Sequence, residues 1–263
     1  MAALGRLVMV GLLVVFGAGC ASTRSDRVAF NAEAHADVRR ILVLQSAQPA
    51  ELLAKPPHMV VVGWGLVTAI LLSPASAAIN IDNQRKTSDF AAFAAGRGVD
   101  PGDLLASGIA DGLLKSGYAV VRRKVEQAPF NWPDDPRGQA CANVRWTGID
   151  PAWRGDADAV LEIRMLPTGF AKFNPWSGPY GLYAGACVRA VELRSLAIVY
   201  RDSLTFHGGL LLGAGTFLRH ESDAGFADYD ELVEKRESAF ASVRQAMIAL
   251  AEQVALDLSA SQR

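Results

Sequence analysis

An α+β domain with a mainly antiparallel sheet packed by helices is the fold class that the sequence predicts, on three observations. Short aliphatic runs of strand length recur between polar flanks. Two of them meet across a tight turn, and two longer segments repeat apolar residues at helical spacing. The chain has 263 residues, 51% of them apolar and 20% charged, enough for one sizeable core. A formal net charge of -1 supplies no basic field, so no nucleic-acid partner is expected.

The first twenty residues set the domain apart from what precedes it. Arg6 is followed by the apolar run Leu7 to Phe16, then by Gly17-Ala18-Gly19 and Cys20. Charge, a short apolar helix and a small-residue end are the grammar of an export signal. Cys20 directly after the small residues resembles the lipobox of bacterial lipoproteins, with Gly17 where an aliphatic residue usually stands. That resemblance implies acylation of Cys20 after removal of residues 1–19. Ala21 after the cysteine implies the outer membrane, with the protein facing the periplasm. Residues 20–37 then read as a lipidated tether and 38–263 as the periplasmic domain.

Within the domain, Arg39 to Gln45 reads as a buried first strand. A hydrophobic helical insertion follows it: Met59 to Ile79 carries no charge. Ser73-Pro74 argues against one continuous spanning helix, because Pro74 serves better as a first helical residue capped by Ser73. Gly65, Ala69, Ser73 and Ala77 fall four apart, a candidate small-residue stripe on which another backbone could pack. Packing on the protein's own domain, membrane seating and self-association are all compatible with it.

Thr87 to Gly98 reads as helical, with Phe90 and Phe93 on one side. Asp100 has the place of an N-cap before Pro101, and Leu104, Leu105, Ile109, Leu113 and Leu114 continue at helical spacing to a stop at Gly117. Tyr118 to Val121 and Asp158 to Leu166 read as strands, and Tyr183 to Leu193 with Leu196 to Phe206 as a hairpin across Arg194-Ser195. Residues 127–155 and the Gly-rich 208–225 read as connections. A last helix, about Tyr229 to Leu258, carries Phe240, Val243, Met247, Leu250, Val254 and Leu258 on one stripe.

No enzyme motif emerges. The four histidines have no metal-ligand spacing, and nucleophile-elbow, Walker and dinucleotide loops are absent; no catalytic residue, metal or cofactor is expected. Cys141 and Cys187 remain as an even pair in an oxidising compartment, and a disulfide is expected between them. The aromatic residues Phe130, Trp132, Trp146, Trp153, Phe170, Phe173, Trp176, Tyr180 and Tyr183 are expected to form the loops' own small core rather than a glycan-stacking or headgroup surface.

The order of these patterns, R-R-I-L-V-L, then L-L-A-S-G-I-A-D-G-L-L-K-S-G-Y-A-V-V, then D-A-D-A-V-L-E-I-R and V-E-L-R-S-L-A-I-V-Y, resembles bacterial envelope lipoproteins with a small α+β domain. That group includes the curli-secretion lipoprotein and the lipoprotein activators of peptidoglycan synthases. The resemblance implies a scaffold or assembly factor that acts through an envelope protein partner or self-association, without chemistry of its own. An oligomeric secretion or pore component is the alternative, and an envelope hydrolase a more distant one. Met59 to Leu72 lacks the polar-apolar alternation of a pore hairpin.

Overall fold

The computed structural model describes residues 27–31, 33–50, 52–55, 85, 88–127, 141, 144–166, 168–172, 179–207, 216–218 and 225–259. Strand β1 (Arg40–Ser46) is buried on both faces, Ile41 and Val43 beneath helices and Leu42 and Leu44 on the opposite side. A short β2 (Leu52–Lys55), not foreseen in the sequence, follows. Residues 88–96 form helix α1, which sinks Phe90 into the core and holds Phe93 at its rim; both rings lie 5.6 Å from Phe240.

Helix α2 (Pro101–Lys115) starts as its sequence dictates. The Asp100 side chain accepts the Gly102 N–H at 2.9 Å, and Pro101 occupies the first turn, where its missing N–H costs nothing. Leu105, Ile109 and Leu113 are fully buried. Leu114, expected on the same stripe, is instead 52% exposed, because one further residue rotates it about 100° off the buried face. Gly117, at φ +88, ends the helix in the left-handed conformation expected of it. The chain then enters β3 (Ala119–Val125).

Past a 3₁₀ turn (Pro151–Gly155) come β4 (Ala159–Met165), β5 (Thr168–Lys172), β6 (Tyr180–Glu192), β7 (Ile198–His207) and β8 (Thr216–Leu218). The hairpin expected across Arg194-Ser195 is β6–β7. The expected single C-terminal helix is two: α3 (Tyr229–Glu234), capped by Asp228, and α4 (Arg236–Ser259). They part at Lys235, whose ψ of 29 takes one residue out of helical geometry while its N–H still reaches the Glu231 carbonyl at 2.8 Å. The α4 stripe predicted from Phe240 to Leu258 is the buried one throughout.

These elements make one α+β domain with a mixed sheet. Strand β4 and then β5 run along the same edge of β6, antiparallel to it, and β1 and β2 pair with them in parallel, so each couple is one interrupted strand. The effective order is six strands, β3, β1/β2, β4/β5, β6, β7, β8, with antiparallel ladders at its centre. The β1-to-β3 and β7-to-β8 pairs are parallel. Helices α1, α2 and α4 cover one face.

Helices α2 and α4 run parallel in close contact. A Cβ added at Gly108 would stand 2.8 Å from the Ala251 Cβ, and one at Gly112 would stand 2.6 Å from the Ala255 Cβ. This is the arrangement that small residues four apart permit. The stripe picked out in the sequence for that role, Gly65, Ala69, Ser73 and Ala77, lies outside the described residues, as does all of Met59 to Ile79.

Candidate functional site

Three polar groupings depart from an apolar core, and each joins residues distant in sequence. The first lies on the face of the sheet away from the helices. Glu162 on β4, almost fully buried, accepts the backbone N–H and the hydroxyl of Thr147, both at 2.7 Å, and the Arg189 guanidinium at 3.0 Å. Arg189 also stacks over Trp146 at 4.6 Å and donates to the Thr147 carbonyl at 3.2 Å. Beside them Cys141 is bonded to Cys187, as expected, and Cys187 packs with Val144 and Leu166. In the chain-entropy account a bond closing a loop of this size contributes about 4 kcal/mol. Trp153 packs on Leu42, Leu44 and Val160. Among the described aromatics of these segments, Phe170, Tyr180 and Tyr183 are buried too, but on strands β5 and β6, and Phe170 and Tyr180 belong to the main core of the domain rather than to a core of the loops' own. Phe130, Trp132, Phe173 and Trp176 lie outside the described residues.

The second grouping fastens the N-terminal segment. Val28 pairs with Arg201 of β7 through two backbone hydrogen bonds, of 2.8 and 2.9 Å. Arg27 reaches the Asp202 carboxylate at 3.2 Å and that of Asp257, near the end of α4, at 3.0 Å. The Tyr200 hydroxyl donates to Asp257 at 3.1 Å, and Thr216 donates to Asp202. Burial pushes the Asp202 carboxyl above its ordinary value, against the opposing pull of Thr216 and Arg27. The range read as a tether, residues 20–37, therefore includes a stretch that is attached to the domain from Arg27 onward.

The third is a hollow of about 360 Å³ at the end of the sheet where β1, β3 and β4 begin. Arg40 donates to Asp158 at 2.9 Å, and Asp158 also accepts the N–H groups of Arg39 and Arg40 at 3.0 and 2.8 Å. Arg154 donates to the Leu193 carbonyl at 3.1 Å. At its rim Glu192 accepts from the Ser195 hydroxyl and stands 3.9 Å from His35. The carboxylate sits between serine and imidazole, so the imidazole is not placed to take the serine proton, as a hydrolytic triad requires. Among the described residues no group of histidine, cysteine and carboxylate side chains could hold a metal ion, and no helix is long and apolar enough to cross a membrane.

Burial raises the Asp158 carboxyl pKa, but the hydrogen bonds from Arg40 and from the Arg39 and Arg40 backbone outweigh it, and the net shift is downward. Its contribution is thus complete above the ordinary value of 3.8 and lost as pH falls through the lower folded value. Asp158→Asn is expected to melt below the native protein at pH 7, and the two melting curves to converge in acid. A gap that stays constant with pH would show that shape rather than charge matters there.

Of the site residues singled out in the sequence, only Cys141 and Cys187 lie among the described residues; Cys20 does not. Arg27, Asp202, Glu162 and Arg189 were not singled out. A charged residue in the middle of an aliphatic strand, as in Glu162 of A-V-L-E-I-R-M, is the one signal that could have found them.

No family model and no curated protein matches the chain. Among solved structures it is similar to the hypothetical protein CT253 from Chlamydia trachomatis, at 11% identity and a TM-score of 0.28, over 81% of this chain and 98% of that one.

Proposed function

We propose that the protein is an outer-membrane-anchored periplasmic lipoprotein that acts as a scaffold or assembly factor through protein contacts. The observation that carries this reading is Cys20 at the end of an export signal. The Cys141–Cys187 bond supports it, since such bonds persist in oxidising compartments. Protein contact is supported by β3, which ends the sheet and pairs on its outer side with no strand among the described residues. Such an edge can accept a partner's strand.

Metabolic labelling with a palmitate analogue tests the anchor. Native protein is expected to incorporate the label and Cys20→Ala to lose it, and equal labelling of the two would overturn the reading. Solubilised in mild detergent, the native protein is expected to run in a complex larger than its own mass, and a single-chain mass would remove the scaffold role.

A further inference from the structure

We propose that the hollow where β1, β3 and β4 begin binds a small zwitterion, an amino acid or a dipeptide, with its carboxylate on Arg154 and its ammonium group on Glu192. The proposal does not depend on the scaffold reading and goes beyond it, from protein contact to a small-molecule site.

Most of the charge around the hollow is already answered. Arg40 donates to Asp158 at 2.9 Å and to the Gly155 carbonyl at 3.1 Å, and Asp158 takes two backbone N–H groups as well. At the mouth Arg194 and Asp37, 85% and 84% exposed, pair at 3.5 Å. Two opposite charges are left over. Arg154 donates through Nε to the Leu193 carbonyl at 3.1 Å and has no carboxylate within ion-pair distance among the described residues. Glu192 accepts the Ser195 hydroxyl through Oε2, whereas Oε1 has the His35 imidazole at 3.9 Å, beyond hydrogen-bond reach.

Both leftover groups are held in place, so they do not close on each other. Arg154 stands on the 3₁₀ turn whose Trp153 is buried. With Nε fixed to a backbone carbonyl, its two Nη groups remain side by side, the fork that grips a carboxylate through parallel bonds. Glu192 ends β6, its side chain fixed by Ser195 and its backbone by the turn. The Leu196 N–H donates to the Glu192 carbonyl at 2.9 Å, and the Glu192 N–H donates to the Ala197 carbonyl at 3.0 Å. Leu196 takes φ +61 to make that turn, a conformation that a leucine rarely adopts and of the kind that gathers at binding sites. Groups set in advance lose little order on binding.

Shape and charge balance select the ligand class. Val38, Ala157 and Leu193, all nearly fully buried, line the hollow beneath its charged rim. A volume of about 360 Å³ is at the small end of ligand cavities. Its three arginines, Arg40, Arg154 and Arg194, balance the three carboxylates of Asp37, Asp158 and Glu192. A simple anion would answer Arg154 and leave Glu192 unanswered, and a simple cation would do the reverse. A zwitterion answers both and leaves the balance unchanged.

The test is calorimetric titration of the full-length protein in mild detergent with L-alanyl-L-alanine, its N-acetyl derivative and its C-terminal amide. The dipeptide is expected to bind with a dissociation constant of about 1 mM or below. Each derivative, lacking one charge, is expected to bind at least about tenfold more weakly. Arg154→Gln is expected to remove the preference for the dipeptide over its amide, and Glu192→Gln the preference over the N-acetyl form. The three ligands compared on the native protein decide the matter even if a variant fails to fold. No saturable binding of the dipeptide at about 10 mM would overturn the proposal. Equal binding of the dipeptide and its N-acetyl derivative would show an anion site and overturn the zwitterion. Binding that survives Arg154→Gln with its preferences intact would place the ligand elsewhere and overturn the assignment to this hollow.

Discussion

Gly112→Leu is expected to lower the free energy of unfolding by about 3 kcal/mol, and the Gly108→Leu/Gly112→Leu pair to abolish the folded state under conditions where the native protein is stable. Even a Cβ at Gly112 would stand 2.6 Å from the Ala255 Cβ, closer than carbon atoms approach, and helix α4 cannot retreat without opening the core beneath Met247, Leu250 and Val254. The intrinsic gain from replacing a helical glycine, about 0.8–1 kcal/mol, is too small to offset this. Denaturant titration of Gly112→Leu measures the loss. The combination Gly112→Ala/Ala255→Gly moves the methyl across the contact and is expected to recover most of it. A Gly112→Leu protein as stable as the native one would mean that the two helices do not pack face to face.

Glu162→Ala is expected to cost about 3–5 kcal/mol, because it leaves the half-buried Arg189 cation without its anion and takes the acceptor from two Thr147 donors. Arg189 cannot swing into water without leaving Trp146, over which it stacks. In a domain of this size such a loss shifts the melting temperature by roughly 10–15 °C. The combination Glu162→Leu/Arg189→Met is expected to be far milder, since it removes both charges and keeps the volume. If Glu162→Ala alone costs less than about 1 kcal/mol, the loop layer carrying Trp146 is held by the disulfide and packing and not by the ion pair.

Local signals were the ones the sequence exposed. The stripe from Phe240 to Leu258, the cap at Asp100, the stop at Gly117 and the turn between β6 and β7 each depend on residues within one or two helical turns or across a single hairpin. Leu114 shows the grain of that reading: its spacing fits an apolar face, but one residue past Leu113 it already points away from the sheet. The break at Lys235 was hidden because the apolar repeat continues on both sides of it, and only α4 carries the buried stripe. Strands β2, β5 and β8 are three to five residues long, too short for alternation to separate them from loop.

Legible in the sequence were the helical faces, the caps, the hairpin and the pairing of Cys141 with Cys187 as the bond to expect. Tertiary structure alone decided that β1 lies between β3 and β4 and runs parallel to both, because every strand offers the same backbone donors and acceptors and the choice of partner rests on which faces the helices cover. It decided that Gly108 and Gly112 face Ala251 and Ala255, and that Glu162 meets Arg189. It also placed Arg27 on Asp202 and so turned the inner end of a polar leader into part of the domain. Such pairs form between residues far apart in the chain, and side-chain periodicity, a property of neighbours, holds no record of them.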